Sequence, residues 1–527
     1  MRSAHLWRNA RVFTGRRYAD ALLVDQGRVV AVGTEAEVRR SAPTGTESED
    51  LSGRLVLPGL IDSHLHLAEL THAREAVDLS SARSIRELVS LVRGWAAEHP
   101  LGVVVGFGWT ADRLGRFAPP SRAELDEAVP DRPAVLQHVS RHAAVVNSPA
   151  IEALELGRES SDPPGGRIGR SPDGSPNGMF YESALRLLLP LTSTASRLHP
   201  DALARTIDRV VSFGLTTVAT MNVGPGEHAA LETLAKEGRL PVRVREYLHL
   251  DWVAQGTVPK QGPVGDVDDS RLVVLGVKGF TDGAFGPRTA WLSNPYADAP
   301  EESGLPTGAS DEKLTEIFGR AVSLGLAPAL HAIGDRAVGR TLQLLAPHIG
   351  TTRAPARIEH AALTPPELLS RLDEVRPALV VQPGFVWSDF WLGDRLGRER
   401  ARWAYAFRTL ADRGHLLAGS SDAPCDPLDP WRGLRAAVSR RDPEGRSANP
   451  DPSEALPAEE AVAMYTVHGG RVLGDPELGS LEPGARADLV VVDAPDLRRA
   501  FLGGAEIVRE VWVDGAPRTG PKTEAQR

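Results

Sequence analysis

Two histidines one residue apart, in His64-Leu65-His66, are the first place in this sequence where residue type and spacing suggest chemistry. On a β-strand, residues i and i+2 share a face, so both imidazoles can reach one point. Neutral imidazole is a good ligand for zinc and neighbouring divalent metals. Asp62 lies two residues before the pair. Other polar residues interrupt or end later apolar runs: Lys278 in LVVLGVKGFTD, His331 in LAPALHAI, His360 in ARIEHAAL and Asp422 in HLLAGSSDA. A polar group buried in such a run is costly unless paired or bound. Any one of them reads equally well as a satisfied core residue; the six together point to one metal-holding site. Ser420 and Ser421 lack a G-x-S-x-G setting and read as hydrogen-bonding structure. Cys425 reads as an inert small residue.

These residues need strands that deliver them to one place. Eight short apolar runs, at 55–67, 214–220, 242–250, 272–282, 326–333, 356–363, 378–385 and 415–423, alternate with helical patterns such as DALARTIDRVVSFG and DEKLTEIFGRAVSLG. Each of these two helices ends in the Gly expected just past a helix end. Strands alternating with helices predict a (β/α)8 barrel, whose active sites lie where the strands end. Both termini read instead as hairpins, ALLVDQGRVVAVG near one end and DLVVVD and EIVREVWVDG near the other. They predict a small β-sandwich from 1–54 and 472–527, with two separate edge hairpins as the alternative reading. Between them, 55–471 forms the barrel. Residues 68–213 break the rhythm and predict an inserted α/β subdomain after the first strand, lying over one barrel mouth. The tail GPKTEAQR reads as frayed.

Composition narrows the function classes. The 527 residues carry 60 Lys+Arg and 69 Asp+Glu, a formal net charge of −9. That balance lacks the basic field nucleic acids require. The single cysteine excludes a disulfide framework or a Cys-rich zinc site. Neither a signal-peptide core nor an apolar run of membrane-spanning length is present, so a cytoplasmic protein with no membrane partner is expected.

The motifs PGLIDSHLHL (58–67), VKGFTDGAFGPRTA (277–290), LHAIGDRAV (330–338), RIEHA (357–361), GSSDAP (419–424) and GSLEPGARADLVVVD (479–493) resemble the amidohydrolase superfamily of metal-dependent hydrolases. Segments 107–113, 142–150 and 166–185 resemble its YtcJ-like branch, which includes N-substituted formamide deformylases. The resemblance implies that His64, His66 and Asp422 hold one divalent metal, zinc by expectation, and that His331 and His360 hold a second. Lys278 would bridge the two as an N6-carboxylated lysine; unmodified, it leaves a one-metal site. The implied reaction is cleavage of a non-peptide C–N bond, in the amide or N-substituted formamide class. Hydroxide generated at the metal attacks, and Asp422 acts as general base and then acid. The alternatives are a one-metal deaminase of a ring amidine and a non-catalytic metal- or ligand-binding barrel.

Several residues are candidates for substrate contact by position. Asp282, Arg288 and Trp291 follow the fourth strand, Trp109, His142 and Asn147 lie in the insertion, and Trp387 follows the seventh strand. Packing or loop structure is an equal reading for each. Asp335 is either a partner for a metal-bound histidine or a helix cap. Thr110, where the branch carries Asp, and LQHVSRH (136–142) depart from the branch pattern and bear on substrate choice. The expected partner is a small molecule, with a homodimer as one open oligomeric state.

Overall fold

The computed structural model describes residues 4–115, 118–192, 198–264 and 271–519; the tail GPKTEAQR lies outside them. The eight predicted runs form eight parallel strands: β1 (Leu60–Leu65), β2 (Leu215–Val223), β3 (Arg243–His249), β4 (Leu272–Phe280), β5 (Ala327–Ala332), β6 (Arg357–His360), β7 (Ala378–Val381) and β8 (Leu417–Gly419). They pair in sequence order. The circle is nearly closed, with Asp422 N–H donating to His64 O (2.8 Å) and His66 N–H to Ala423 O (2.9 Å). Phe280 pairs with His331, and Ala332 with His360, so β4, β5 and β6 end at one level. The barrel is therefore a (β/α)8 fold.

The helices form where the pattern places them. In Pro200–Ser212, proline occupies the first turn, His199 caps, and Leu203, Ile207, Val210 and Val211 are buried on one face. Gly214 follows at φ +87°, closing the helix. Asp311–Ser323 is capped by Ser310, whose hydroxyl accepts from Lys313 N–H.

Two sheets built from the ends make the sandwich. One contains His5–Arg8, Ala21–Asp25, Arg28–Gly33 and Glu47–Asp50. The other joins Arg11–Phe13 and Leu55–Pro58 to Leu489–Val492 and Val508–Val513. Trp7, Val12, Val24, Val56, Leu489 and Val491 share its core. The predicted boundary at residue 55 is corrected: Leu55–Pro58 pairs with the sandwich strands, and the barrel begins at Leu60. The two segments are equally apolar, and Gly59 separates them. A Cβ there would lie 2.2 Å from Thr216 Oγ1, so the chain crosses between the layers against β2 where only glycine fits.

The insertion is a six-stranded mixed sheet spanning Val77–Asp78 to Pro176–Glu182, with Ile85–Glu98 and Arg122–Ala128 packed on it. Its predicted end at residue 213 is also corrected. Helix Pro200–Ser212 shares the barrel core with Leu215 and Leu231, because its apolar face continues the barrel's helical layer.

Candidate metal centre

Strand ends bring together the residues the sequence singles out. His64 Nε2 lies 3.2 Å and His66 Nε2 3.3 Å from Asp422 Oδ1. Among the described residues these three form the one group of His, Cys or carboxylate ligands close enough to hold a single ion. Their other atoms are already committed. His64 Nδ1–H donates to Glu359 Oε2 at 2.6 Å and His66 Nδ1–H to Met221 O at 3.2 Å, with Glu69 Oε2 paired to His66 Nδ1 at 3.0 Å. Both Nε2 atoms thus converge on one carboxylate oxygen, which they can meet as N–H donors or as lone pairs sharing a cation with it. Two imidazoles and a carboxylate at one point are a donor set that fits a divalent metal.

The second set is also oriented. His360 Nδ1–H donates to Gln382 Oε1 at 2.6 Å, leaving Nε2 toward the site. His331 Nε2–H donates to Gly283 O at 3.0 Å, leaving Nδ1. Their rings are 4.4 Å apart, and His360 is 5.1 Å from His64. Lys278 Nζ is 3.5 Å from His64 Nε2 and sits over the Phe280 ring.

Burial and neighbouring charge set the protonation states. Burial pushes His331 well below the usual imidazole range and His360 down to about 3, so both are neutral and free to bind metal. Burial also lowers the Lys278 amine. It opposes ionisation of Asp422, but His64 and His66 outweigh it and hold the carboxyl well below its usual range. Glu359 is held at about 2 against burial by Arg357 and then His64. The backbone is strained at the same places: His360 and Asp422 adopt φ of +74° and +57°, left-handed values unusual for such residues.

The sequence reading missed the residues that orient these ligands: Glu359, Gln382, Glu69 and Glu182. Their signal was present, since R-I-E-H places two charges in a fully buried strand, where each needs a partner. Asp62 acts as a clamp, accepting from His64 N–H and Ser421 N–H; burial raises its carboxyl to about 7.

A cavity of about 1000 Å³ is lined in part by Ile333, Pro424 and Cys425, which follow the strand-end ligand candidates His331 and Asp422 in the chain. Five expected substrate contacts lie outside its lining. Asn147 is fully buried and caps Ser148–Ala153 through Ala150 N–H, while also binding Ala134 N–H, Val129 O and Arg132 O. Trp109 is buried in the insertion core, donating to Leu136 O. Arg288 is paired with Asp298 at 2.7 Å. Asp282 accepts backbone N–H groups of Trp291, Ile333 and Gly334, fixing the loops around His331. Trp387 is buried beneath Arg432 and Arg435. Each of the five has a packing or hydrogen-bonding role in the structure. Asp335 binds Ser293 N–H and hydroxyl rather than any histidine. The departures from the branch pattern fare differently: Thr110, His138 and Ser140 do line the cavity. His142 reaches the centre, its ring 4.9 Å from His331 and its Nδ1–H donating to Glu182 Oε2 at 2.8 Å.

The chain is similar to several known proteins. The YtcJ protein of Bacillus subtilis (strain 168) is 31% identical over 501 residues, covering 92% of this chain and 94% of its own. The N-substituted formamide deformylase of Arthrobacter pascens is 29% identical over 533 residues, covering 95% of each. A crystal structure of an uncharacterized metal-dependent hydrolase from Pyrococcus horikoshii OT3 superposes with a TM-score of 0.76 at 32% identity, covering 95% of this chain and 99% of that one. The sequence pattern of the amidohydrolase family matches residues 47–518, and the chain belongs to that family.

Proposed function

We propose that this protein is a metal-dependent hydrolase of a non-peptide C–N bond in a small molecule, in the amide or N-substituted formamide class. The observation that carries the reading is the convergence of His64 Nε2, His66 Nε2 and Asp422 Oδ1, three ligand atoms close enough together to hold one ion. His64, His66 and Asp422 would hold one zinc ion and His331 and His360 a second. Bound there, the metal supplies Lewis acidity, which acidifies water and polarises a carbonyl. Asp422, ionised and beside both imidazoles, takes a proton from water at one carboxylate oxygen and returns it to the departing amine. Lys278, buried and with its amine lowered, takes up CO₂ as a carbamate, losing a proton and becoming an anionic bridge between the two sets. The deformylase among the relatives supports the substrate class. The ring-deaminase reading loses support, because Asp335, the carboxylate nearest in sequence after His331, is tied to Ser293.

The test is turnover of an acyl-amine panel by chelated, zinc-restored and Asp422→Asn protein. Chelation should abolish activity and zinc restore it, and the zinc-loaded variant should lose about 10²- to 10⁴-fold in kcat. Unchanged turnover in that variant would refute the mechanism. Intact mass of the active protein showing an unmodified Lys278 would refute the carbamate.

A further inference from the structure

One wall of the cavity carries positive charge that the protein leaves unanswered. Arg113, half-buried at the end of the turn Ala111–Arg113, lines the cavity, and its guanidinium makes no hydrogen bond or ion pair among the described residues. Arg83 lines it too, its guanidinium donating to the carbonyls of Ser80 and Ala82 and, among the described residues, to no carboxylate. Burial and then Arg83 push the Arg113 guanidinium down, and Asp426 is the only one of its main charged neighbours to oppose them. Asp426 is already occupied, accepting from the Ser388 hydroxyl and from Arg432. The other carboxylates of the lining have local partners: Asp78 holds Ser80 N–H, Asp389 the Tyr405 hydroxyl, and Asp429 Trp431 N–H. A half-buried guanidinium has five donors in a planar fork, which matches a carboxylate. Phe107, Phe285, Phe385 and Trp391 supply apolar surface in the same cavity, whose lining also includes Pro424 and Cys425, which follow Asp422 in the chain.

We propose that Arg113, with Arg83 on the same wall, binds a carboxylate of the substrate, so that the compound hydrolysed is an N-acyl amino acid with an apolar or aromatic side chain rather than a neutral N-acyl amine. The inference rests on the C–N hydrolase reading above. It places the amide at the metal centre, the carboxylate at the arginines and the apolar side chain on the aromatic surface.

N-formylphenylalanine and N-formyl-2-phenylethylamine differ only in the carboxylate and serve as the probe pair for zinc-loaded protein. The carboxylate-bearing compound should be preferred in kcat/KM by about 10- to 100-fold, chiefly through KM, as a charge-assisted bidentate contact implies. Arg113→Gln should remove most of that ratio, and Arg113→Lys should retain part of it. A ratio near one in the wild type, or one unmoved by Arg113→Gln, overturns the subsite. Calorimetric binding of 3-phenylpropanoate against 3-phenylpropanol reads the subsite without turnover. Carboxylate-dependent binding that Arg113→Gln abolishes, with neither amide hydrolysed, supports the subsite and counts against the C–N reading. Carboxylate binding that survives the substitution overturns the subsite.

Discussion

At the scale of single residues, what makes the centre specific is the partner on the far side of each imidazole. Imidazole has two nitrogens, and only a hydrogen bond to one decides which lone pair is offered. Gln382 sets His360, Glu359 sets His64 and Gly283 O sets His331. Replacing such a partner commonly weakens metal affinity by about 10- to 100-fold. Gln382→Leu, close in volume but without the acceptor, should show a loss of that size in a zinc titration while the fold is kept. A zinc affinity equal to wild type would mean that Gln382 merely fills space. The ligand types were legible in the sequence because spacing and strand ends are local features. The partners were not: Glu359 lies 295 residues from His64, and no local pattern joins them.

At the scale of elements, the insertion shows why an amide or aromatic side chain in a loop is ambiguous from sequence. Asn147 reads as a polar residue of the insertion, free to meet a substrate. It is instead the cap and clamp of Ser148–Ala153, using both donors and its acceptor within the subdomain. Asn147→Ala removes a cap and leaves Val129 O, Arg132 O and Ala134 N–H buried without that partner. It should cost about 1–3 kcal/mol, read as a lower thermal midpoint with zinc content unchanged. A variant that keeps its stability but raises KM would restore the substrate-contact role. Trp109 and Trp387 follow the same logic, since an indole fills a core as readily as it lines a cavity. Thr110, His138 and Ser140 do reach the cavity because the strand ends Val104–Trp109 and Ala134–His138 point toward it.

At the scale of the molecule, the barrel and sandwich are joined by a buried ionic seam. Arg243 of β3, wholly buried, bridges Asp488 at 3.0 Å and Asp514, and Arg271 pairs with Asp514 at 2.9 Å. Burial works against ionisation of Asp514, but Arg243 and Arg271 outweigh it and hold the carboxyl below its ordinary 3.8. A depressed folded value means that the seam's contribution is present above pH 3.8 and is lost as the pH falls below it. Acid unfolding of the chelated protein should therefore steepen in that range, and Asp514→Asn should flatten it while destabilising the protein at neutral pH by about 3–5 kcal/mol. Equal acid limbs in the two proteins would remove the seam from the account. Among the described residues no helix is long and apolar enough to cross a membrane. The sequence by itself determined the alternation of eight strands with helices, the sandwich of the two ends, the excess length after the first strand and the identity of the metal-ligand candidates. All of these follow from residue type and short-range period, which a chain displays before it folds. Only the tertiary structure decided where the sandwich ends and β1 begins, which carboxylate or amide orients each histidine, and which side chains of the insertion face the cavity. Those depend on residues hundreds of positions apart coming into contact, and on which face of a loop the packing turns inward.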